Sequence, residues 1–227
     1  MTAHPLDRPI WASLTGRQAP LALAEGRALR FDPAYAMFAA VADTSGASLE
    51  GLAALIRAHG EAALVERDEA PAIPGAVVAS RAICVQMTAE AITPGPAPDF
   101  AVEPIGEAEA GEMLALATLT RPGPFFARTH RLGAFIGVKQ DGRLVAMAGE
   151  RMQPHGFAEV SGVCTHPDHR GRGYAAALSR IVANRILARG EQPFLHAYAT
   201  NAGAIGLYET LGFSIRRELV MTVLAPA

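Results

Sequence analysis

The sequence predicts an α/β protein with a mixed sheet. Residues 157–189 read as a strand, a glycine-rich loop and a helix, and residues 194–211 repeat the strand and helix. Residues 133–148 read as a hairpin, because Asp141-Gly142 supplies the positive φ of a tight turn between two apolar runs. A hairpin beside strand–helix units is typical of a mixed sheet covered by helices.

Composition indicates a globular protein. The 227 residues are 50% hydrophobic and 19% charged, which suffices for one good core or two small ones. The formal net charge of −2 leaves no basic footprint for nucleic acid or an anionic membrane, so we expect neither partner. The first residues have no secretory pattern and the sequence has no run of 18 apolar residues, which predicts a cytoplasmic protein.

The first half of the chain contains no motif with recognisable chemistry. Ser48 can cap a helix that Gly60 can end, and strand-like runs follow at residues 62–66 and 77–88. We expect this half to extend the sheet and to wall off the substrate side.

A short linker divides the sequence. Thr93–Pro98 has three prolines in six residues, which predicts a stiff connection. We therefore expect an N-terminal mixed α/β half at residues 1–93 and a second domain at residues 98–227.

The start of the second domain reads as a strand, a helix and a break. Phe100–Pro104 is strand-like, Glu107–Leu119 has apolar residues on one helical face, and Arg121–Phe126 ends the helix with two prolines.

The loop Arg170–Gly173 is suited to a phosphate. Its glycines allow close approach of the backbone, and the first N–H groups of the helix that follows are free and favour negative charge. That helix ends at Arg189-Gly190, a cation followed by a C′ glycine. Asn201 can cap the last helix, which Gly212 ends.

The same loop fits a dinucleotide fingerprint. Gly171–Ala176 matches G-x-G-x-x-A, and Glu191 lies at about the distance of a ribose-binding acid. However, Glu191 precedes the next strand instead of closing one, and too little chain follows to complete a doubly wound sheet. The context therefore disfavours a dinucleotide.

Two stretches resemble the signatures of the GNAT superfamily of N-acyltransferases. Arg170–Ala175 fits the pattern [QR]-x-x-G-x-[GA] and, with the strand Val163–Thr165, resembles the acetyl-coenzyme A loop. Asn201–Phe213 resembles the second signature, an Asn…Tyr helix followed by Gly-Phe. The resemblance implies a GNAT fold for the second half of the chain.

A narrower resemblance is to the glycine-N-acyltransferase-like branch, and it rests on the residues of two flanking stretches, Arg121–Phe125 and Ala146–Arg151. It implies that the first half is a smaller, degenerate GNAT-like copy packed on the second. It also makes Phe125, Phe126 and Arg128 candidates for binding the acceptor. The alternative for them is core packing of the two rings and a solvated Arg128.

The resemblance implies acetyl-CoA as co-substrate and no metal. The pantetheine arm and thioester would follow the strand backbone, and the pyrophosphate would lie on the loop. The implied cofactor-binding residues are Val163, Cys164, Thr165, Arg170, Gly171, Arg172, Gly173, Tyr174, Ala175, Ala176, Asn201 and Tyr208.

Two catalytic residues are implied. Glu159 resembles the glutamate that serves some GNAT enzymes as general base, directly or through a water, and its alternatives are an acceptor for the substrate ammonium or a charge at the strand entry. Tyr208 matches the general acid for the thiolate, and its alternative is an aromatic ring packed under the cofactor.

Both cysteines lie in apolar, strand-like runs without metal-ligand spacing, so we expect Cys84 and Cys164 to be free and buried. A nucleophilic Cys164 would need a low pKa and a nearby histidine such as His166.

The resulting hypothesis is an N-acyltransferase that moves an acetyl or short acyl group from coenzyme A to a primary amine. The acceptor would be a small molecule or an amino acid that attacks directly in a ternary complex. The alternative is a non-catalytic acyl-CoA-binding or sensing module. An exposed strand edge near the C-terminus makes a homodimer a candidate assembly.

Overall fold

The computed structural model describes residues 4–227. In chain order the strands are β1 (Ala22–Glu25), β2 (Ala28–Phe31), β3 (Ala39–Val41), β4 (Ala62–Glu66), β5 (Ala76–Thr88), β6 (Glu103–Ile105), β7 (Phe135–Gln140), β8 (Arg143–Glu150), β9 (Phe157–Thr165), β10 (Gln192–Tyr198) and β11 (Ser214–Pro226). The α-helices are α1 (Pro9–Leu14), α2 (Gly46–His59), α3 (Ala110–Thr120), α4 (Tyr174–Ala188) and α5 (Ala202–Thr210). Short 3₁₀ helices cover Pro5–Asp7, Ala19–Leu21, Glu107–Glu109, Thr129–Arg131 and Pro167–His169.

Eight strands form one mixed sheet in the order β4-β11-β5-β10-β9-β8-β7-β6. Strands β9 and β10 are parallel, and the other neighbouring pairs in this sheet are antiparallel. Strands β1, β2 and β3 form a separate antiparallel sheet. The mixed α/β architecture predicted from the sequence is therefore present.

The large sheet joins the two sides of the linker. Strand β5 precedes the linker, yet it lies between β10 and β11, which follow it, and β4 pairs with the other edge of β11. The predicted division into residues 1–93 and 98–227 is therefore not a division of the sheet. As a statement about domains it stays a prediction, as does the degenerate copy.

The predicted strand edge near the C-terminus needs correction. Strand β11 pairs with β5 along its length and with β4 over residues 220–224, so this C-terminal part of β11 is not an edge. The exposed edge belongs to the first part of β5, because β10 pairs with β5 only over residues 84–88. Val77 and Val78 in that part are 50% and 44% exposed.

Helices cover both faces of the sheet. On one face, Leu178, Val182 and Ile186 of α4 pack with apolar residues of β7 to β10. On the other, Met113 and Leu116 of α3 pack with residues of β7, β8 and β9. These layers leave the middle of the sheet, where β9 meets β10, as the place where a site can open.

Most of the strands and helices predicted from the sequence begin and end within a few residues of their observed bounds. Asp141 and Gly142 have φ of 50° and 76°, as the hairpin turn requires. Helix α2 begins earlier than predicted, with Ser45 at its N-cap, while Ser48 lies fully buried in its first turn. Within residues 4–227, no helix has both the length and the apolar character needed to cross a membrane.

Candidate active site

A cleft opens where β9 and β10 separate. The two strands pair over only three residues each, 157–159 with 192–194. Beyond that point β10 continues along β5, and Val160–Thr165 of β9 pairs with β8 alone. The unpaired side of β9 therefore presents backbone polar groups to the cleft.

Strand β9 bends at the mouth of the cleft. Its register with β8 shifts between Ser161 and Cys164, which marks a β-bulge, and Gly162 within the bulge has a φ of 64°. A Cβ on Gly162 would lie 2.9 Å from the Phe135 ring. Glycine is therefore needed here for both conformation and space.

The glycine-rich loop prepares a row of free backbone donors. Gly171 and Gly173 adopt positive φ, 76° and 77°, and α4 begins at Tyr174. Among residues 4–227, no acceptor is hydrogen-bonded to any of the six consecutive N–H groups at positions 171–176. Free N–H groups at a helix N-terminus attract anions.

A cavity of about 560 Å³, the loop cavity, lies against these donors. All twelve residues predicted to bind the cofactor line it: Val163, Cys164, Thr165, Arg170, Gly171, Arg172, Gly173, Tyr174, Ala175, Ala176, Asn201 and Tyr208. The Oγ1 atom of Thr165 and the Nδ1 atom of His169 are buried there without a partner among residues 4–227. The polar groups that the loop cavity offers a ligand are therefore the unpaired backbone N–H groups at positions 171–176.

A second cavity of about 140 Å³, the inner cavity, adjoins it. Its walls come from both halves of the chain and include Phe38, Val65, Cys84, Ser161, His196, Tyr198 and Met221. Six residues line both cavities: Arg121, Pro122, Val163, Asn201, Ala204 and Tyr208. The two cavities therefore meet at α5 and the loop that follows α3.

Tyr208 lies at that meeting point. Its side chain projects from α5, whose start is fixed by Asn201, since the Asn201 Oδ1 accepts the Ala204 N–H at 3.1 Å. Burial raises the pKa of the Tyr208 phenol to about 12. A phenol with such a pKa keeps its proton at neutral pH.

The structure argues against Glu159 as a direct base. Its carboxylate is fully buried and accepts four hydrogen bonds: from Arg151 Nε at 2.9 Å and Nη2 at 2.8 Å, from the Met152 N–H at 3.2 Å, and from His196 Nδ1 at 2.8 Å. Burial alone would raise the pKa of this carboxyl, but Arg151 and His196 hold it well below its usual range. A saturated carboxylate with a low pKa is a poor proton acceptor.

His196 is held by the same network. Its Nδ1 faces Glu159 and its Nε2 lies 3.2 Å from the Gln86 Nε2. The Gln86 amide is oriented by two further bonds, because its Nε2 donates to the Leu6 carbonyl at 2.9 Å and its Oε1 accepts from Arg216 at 2.9 Å. Gln86 therefore donates to His196 Nε2, and Nδ1 carries the hydrogen that bonds Glu159.

The three predicted acceptor-binding residues line neither of these two cavities, and their role stays a prediction. Phe125 packs edge-on against Phe135 with ring centroids 5.8 Å apart. The Phe126 N–H donates to Thr129 Oγ1, and Arg128 is exposed with its guanidinium 6.0 Å from the Tyr35 ring. The loop just before them, residues 121–124, lines the inner cavity instead.

Arg121 is the residue that sequence reasoning missed in this loop. It ends α3 in the left-handed conformation, with φ 50° and ψ 57°, which is costly for a residue with a side chain. The two prolines around Gly123 were visible as a helix break, but nothing in the sequence indicated which side chain would face the cleft.

Neither cysteine has the properties of a nucleophile. Both are free and buried, as predicted. Burial raises the pKa of each thiol to about 11, and Cys164 packs in the apolar cluster beneath α3. At neutral pH both remain protonated.

Comparison with known proteins shows which family this chain is similar to. A family model described as FR47-like protein matches residues 135–221. A crystal structure of a candidate acetyltransferase of the GNAT family from Novosphingobium aromaticivorans is 48% identical in sequence. The similarity covers 99% of this chain and 100% of that one, with a TM-score of 0.89. No curated protein is significantly similar in sequence.

More distant structures share the fold. A GCN5-related N-acetyltransferase from Kribbella flavida is 19% identical over 96% of this chain and 95% of its own, with a TM-score of 0.62. A GCN5-related N-acetyltransferase-like protein from Streptococcus suis is 15% identical over 96% and 92%, with a TM-score of 0.59.

Proposed function

Because the chain belongs to the GNAT family, we propose that it transfers an acetyl or short acyl group from coenzyme A to a primary amine of a small molecule or amino acid. The observation that carries the proposal is the opening between β9 and β10. The loop cavity with its free N–H groups lies at one end of the opening, and the inner cavity at the other.

The loop cavity suits acetyl-CoA. The six free N–H groups at positions 171–176 would hold the pyrophosphate, with Arg170 and Arg172 adding positive charge. The unpaired backbone of Val163–Thr165 would bind the pantetheine arm and polarise the thioester carbonyl. The co-substrate supplies an activated acyl group, so positioning and proton transfer suffice for the protein.

The chemistry requires one bond to form and one to break. The amine nitrogen attacks the thioester carbonyl carbon, a C–N bond forms, and the C–S bond breaks. The nitrogen loses one proton and the sulfur gains one. Tyr208 lines both cavities and keeps its proton at neutral pH, so we assign it the role of general acid toward the sulfur.

Release of free thiol from acetyl-CoA, measured with a panel of amines, amino acids and peptide N-termini, tests the proposal. We expect turnover with at least one acceptor and its loss in Tyr208→Phe. Calorimetry that detects no acetyl-CoA binding to folded protein would contradict the proposal at its first step.

A second candidate function is acyl-CoA binding without turnover. The sequestration of Glu159 favours it, because the carboxylate that resembles a family base is not available. Acetyl-CoA binding by calorimetry without thiol release, in wild-type protein and in Tyr208→Phe alike, would support this second function against the first.

Three finer assignments stay proposals. The glycine-N-acyltransferase-like branch rests on short flanking stretches, and the cytoplasm and the homodimer rest on expectations from the sequence. For the homodimer, the exposed part of β5 is the edge that two copies could pair.

A further inference from the structure

The inner cavity has two permanent cations, Arg121 and Arg151. Among residues 4–227 its lining includes no aspartate or glutamate. Arg151 is neutralised by Glu159 behind it, whereas Arg121 forms no ion pair with a described acidic residue. An ammonium ion entering this cavity would meet no acidic lining residue, and the exposed Arg121 would add a positive charge that solvent partly screens, which disfavours the charged form of the amine.

The cavity also has no group that is free to remove a proton. Burial raises the pKa of the Cys84 thiol and of Tyr208 to about 11 and about 12, and it raises the pKa of Tyr198 as well. These three side chains therefore enter the reaction protonated. His196 is the remaining titratable lining residue, and both of its ring nitrogens are engaged, by Glu159 and by Gln86.

The adjoining loop cavity does not supply a base at this end. Its other titratable and charged lining residues belong to the strand end and phosphate loop, away from the inner cavity: Cys164, His169, Arg170, Arg172 and Tyr174. None of these five lines the inner cavity.

Four apolar side chains form part of the wall, beside polar groups. Phe38, Val65, Met152 and Met221 face a space of about 140 Å³. Phe38 is fixed in place, because the Arg151 guanidinium lies 4.8 Å from its ring centroid. These side chains can pack against an apolar part of the acceptor, and the lining offers no acidic partner for a second cationic group.

The proton balance of the reaction fits such a cavity. An uncharged primary amine gives up one proton when it becomes an amide, and the sulfur takes up one proton when it becomes a thiol. The number of protons is therefore balanced without an additional base. Tyr208 would give its proton to the sulfur and would recover, through a water, the proton that the nitrogen releases. An ammonium would bring one proton more, and the inner cavity offers no free group to take it.

We infer that the acceptor is a weakly basic amine with an apolar body, such as an aromatic amine or a peptide-like α-amine, which enters the inner cavity already uncharged. The inference rests on the proposed acyl transfer and specifies its substrate class. It excludes polyamines and lysine-type side chains as good acceptors.

The pH dependence of kcat/KM tests this inference with two probes of nearly equal shape, 2-phenylethylamine and its 2,2-difluoro derivative. Fluorine lowers the basicity of the second amine. We expect the midpoint of the rising limb to move with the pKa of the amine itself, and kcat/KM at pH 7 to be about tenfold or more higher for the difluoro amine. 1,5-Diaminopentane should give no measurable turnover at pH 7.

One midpoint shared by both probes would indicate a base on the enzyme and would overturn the inference. Efficient acetylation of 1,5-diaminopentane would do so as well. Acetyl-CoA binding without acetylation of either aromatic probe would also count against the inference. Failure to bind acetyl-CoA, in contrast, would contradict the proposed function itself.

The variant Arg121→Gln tests whether the positive charge of the cavity contributes to the preference for the less basic amine, separately from the lack of a base. Removing the unpaired cation should raise kcat/KM for the more basic probe. The ratio of kcat/KM between the difluoro amine and 2-phenylethylamine should therefore fall severalfold. Arg185→Gln, on the exposed face of α4, is the matched control and should leave the preference unchanged. An unchanged preference in Arg121→Gln would overturn the assignment of repulsion to this residue.

Discussion

The loop cavity takes its anion-binding donors from six consecutive backbone positions, 171–176, whereas the inner cavity takes its walls from both halves of the chain. The donors of the loop cavity depend on φ angles at two glycines. The walls of the inner cavity depend on strand order, because β5 from the first half lies beside β10 from the second.

This difference predicts what substitutions near each cavity should do. A change in the loop should weaken cofactor binding and leave the fold intact, since the loop is exposed and local. A change behind the inner cavity should reach the core, since Glu159 and Arg151 are buried together and linked to His196 and Gln86. Substitutions at the boundary between the two cavities should affect chemistry most.

The largest effect on activity is expected at that boundary. Tyr208→Phe should lower kcat by about 10²- to 10⁴-fold, the usual contribution of a general acid, and should change acetyl-CoA affinity little. Single-turnover thiol release and calorimetry measure the two quantities separately. Tyr198→Phe, which alters the other tyrosine of the inner cavity, is the control. A kcat for Tyr208→Phe within threefold of wild type would remove Tyr208 from the chemistry.

The next largest effect is on the stability of the fold, through the ion pair of Glu159 and Arg151 behind the inner cavity. Glu159→Ala leaves Arg151 buried and unpaired and should lower the free energy of unfolding by about 3–5 kcal/mol, as measured by urea denaturation. Replacing both residues together, Glu159→Met with Arg151→Met, should recover much of that loss. A cost below about 1 kcal/mol for Glu159→Ala would show that the pair is not structurally important.

The same carboxylate predicts a pH dependence. Because the pKa of Glu159 is lower in the folded protein than in the unfolded chain, its contribution is fully present above the ordinary glutamate value and is lost as the pH falls below it. The stability gap between wild type and Glu159→Gln should thus be constant from about pH 7 to pH 5 and shrink below about pH 4. Glu209→Gln, at an exposed position of α5, should show no such trend. A gap that widens on acidification would contradict the sign.

The smallest effect is expected in the loop. Gly173→Val places a β-branched residue at a φ of 77°, which costs about 1–2 kcal/mol, so acetyl-CoA affinity should fall by about tenfold while the fold persists. Gly206→Ala is the control, because this helical glycine has negative φ and open space at its Cβ position. Unchanged affinity in Gly173→Val would mean that the loop conformation does not position the cofactor.

Local signals made the loop cavity predictable. The strand, the glycines and the helix start lie within one continuous stretch, so their spacing alone fixes where the N–H groups of residues 171–176 point. The Asn201 cap and the helix bearing Tyr208 were predictable for the same reason. All twelve residues predicted to bind the cofactor consequently line one cavity, and cofactor binding by them stays a prediction.

The inner cavity was not predictable in this way. The family resemblance made Glu159 a candidate base, but the sequence did not show that its carboxylate is turned into a buried network. Arg151 lies at the end of β8 and His196 on β10, so the network that buries Glu159 exists only once the sheet is assembled. Phe125 has two interpretations in the sequence, as a pocket residue and as a core residue, and its edge-on packing on Phe135 is visible only in the folded chain.

Amide hydrogen exchange with and without acetyl-CoA tests the central claim most directly. We expect the cofactor to slow exchange in peptides covering Val160–Thr165 and residues 171–176, and to leave the separate sheet of β1 to β3 unchanged. Exchange that stays equally fast at residues 171–176 in protein saturated with acetyl-CoA would contradict the account, because the free N–H groups of the loop would then not hold the pyrophosphate.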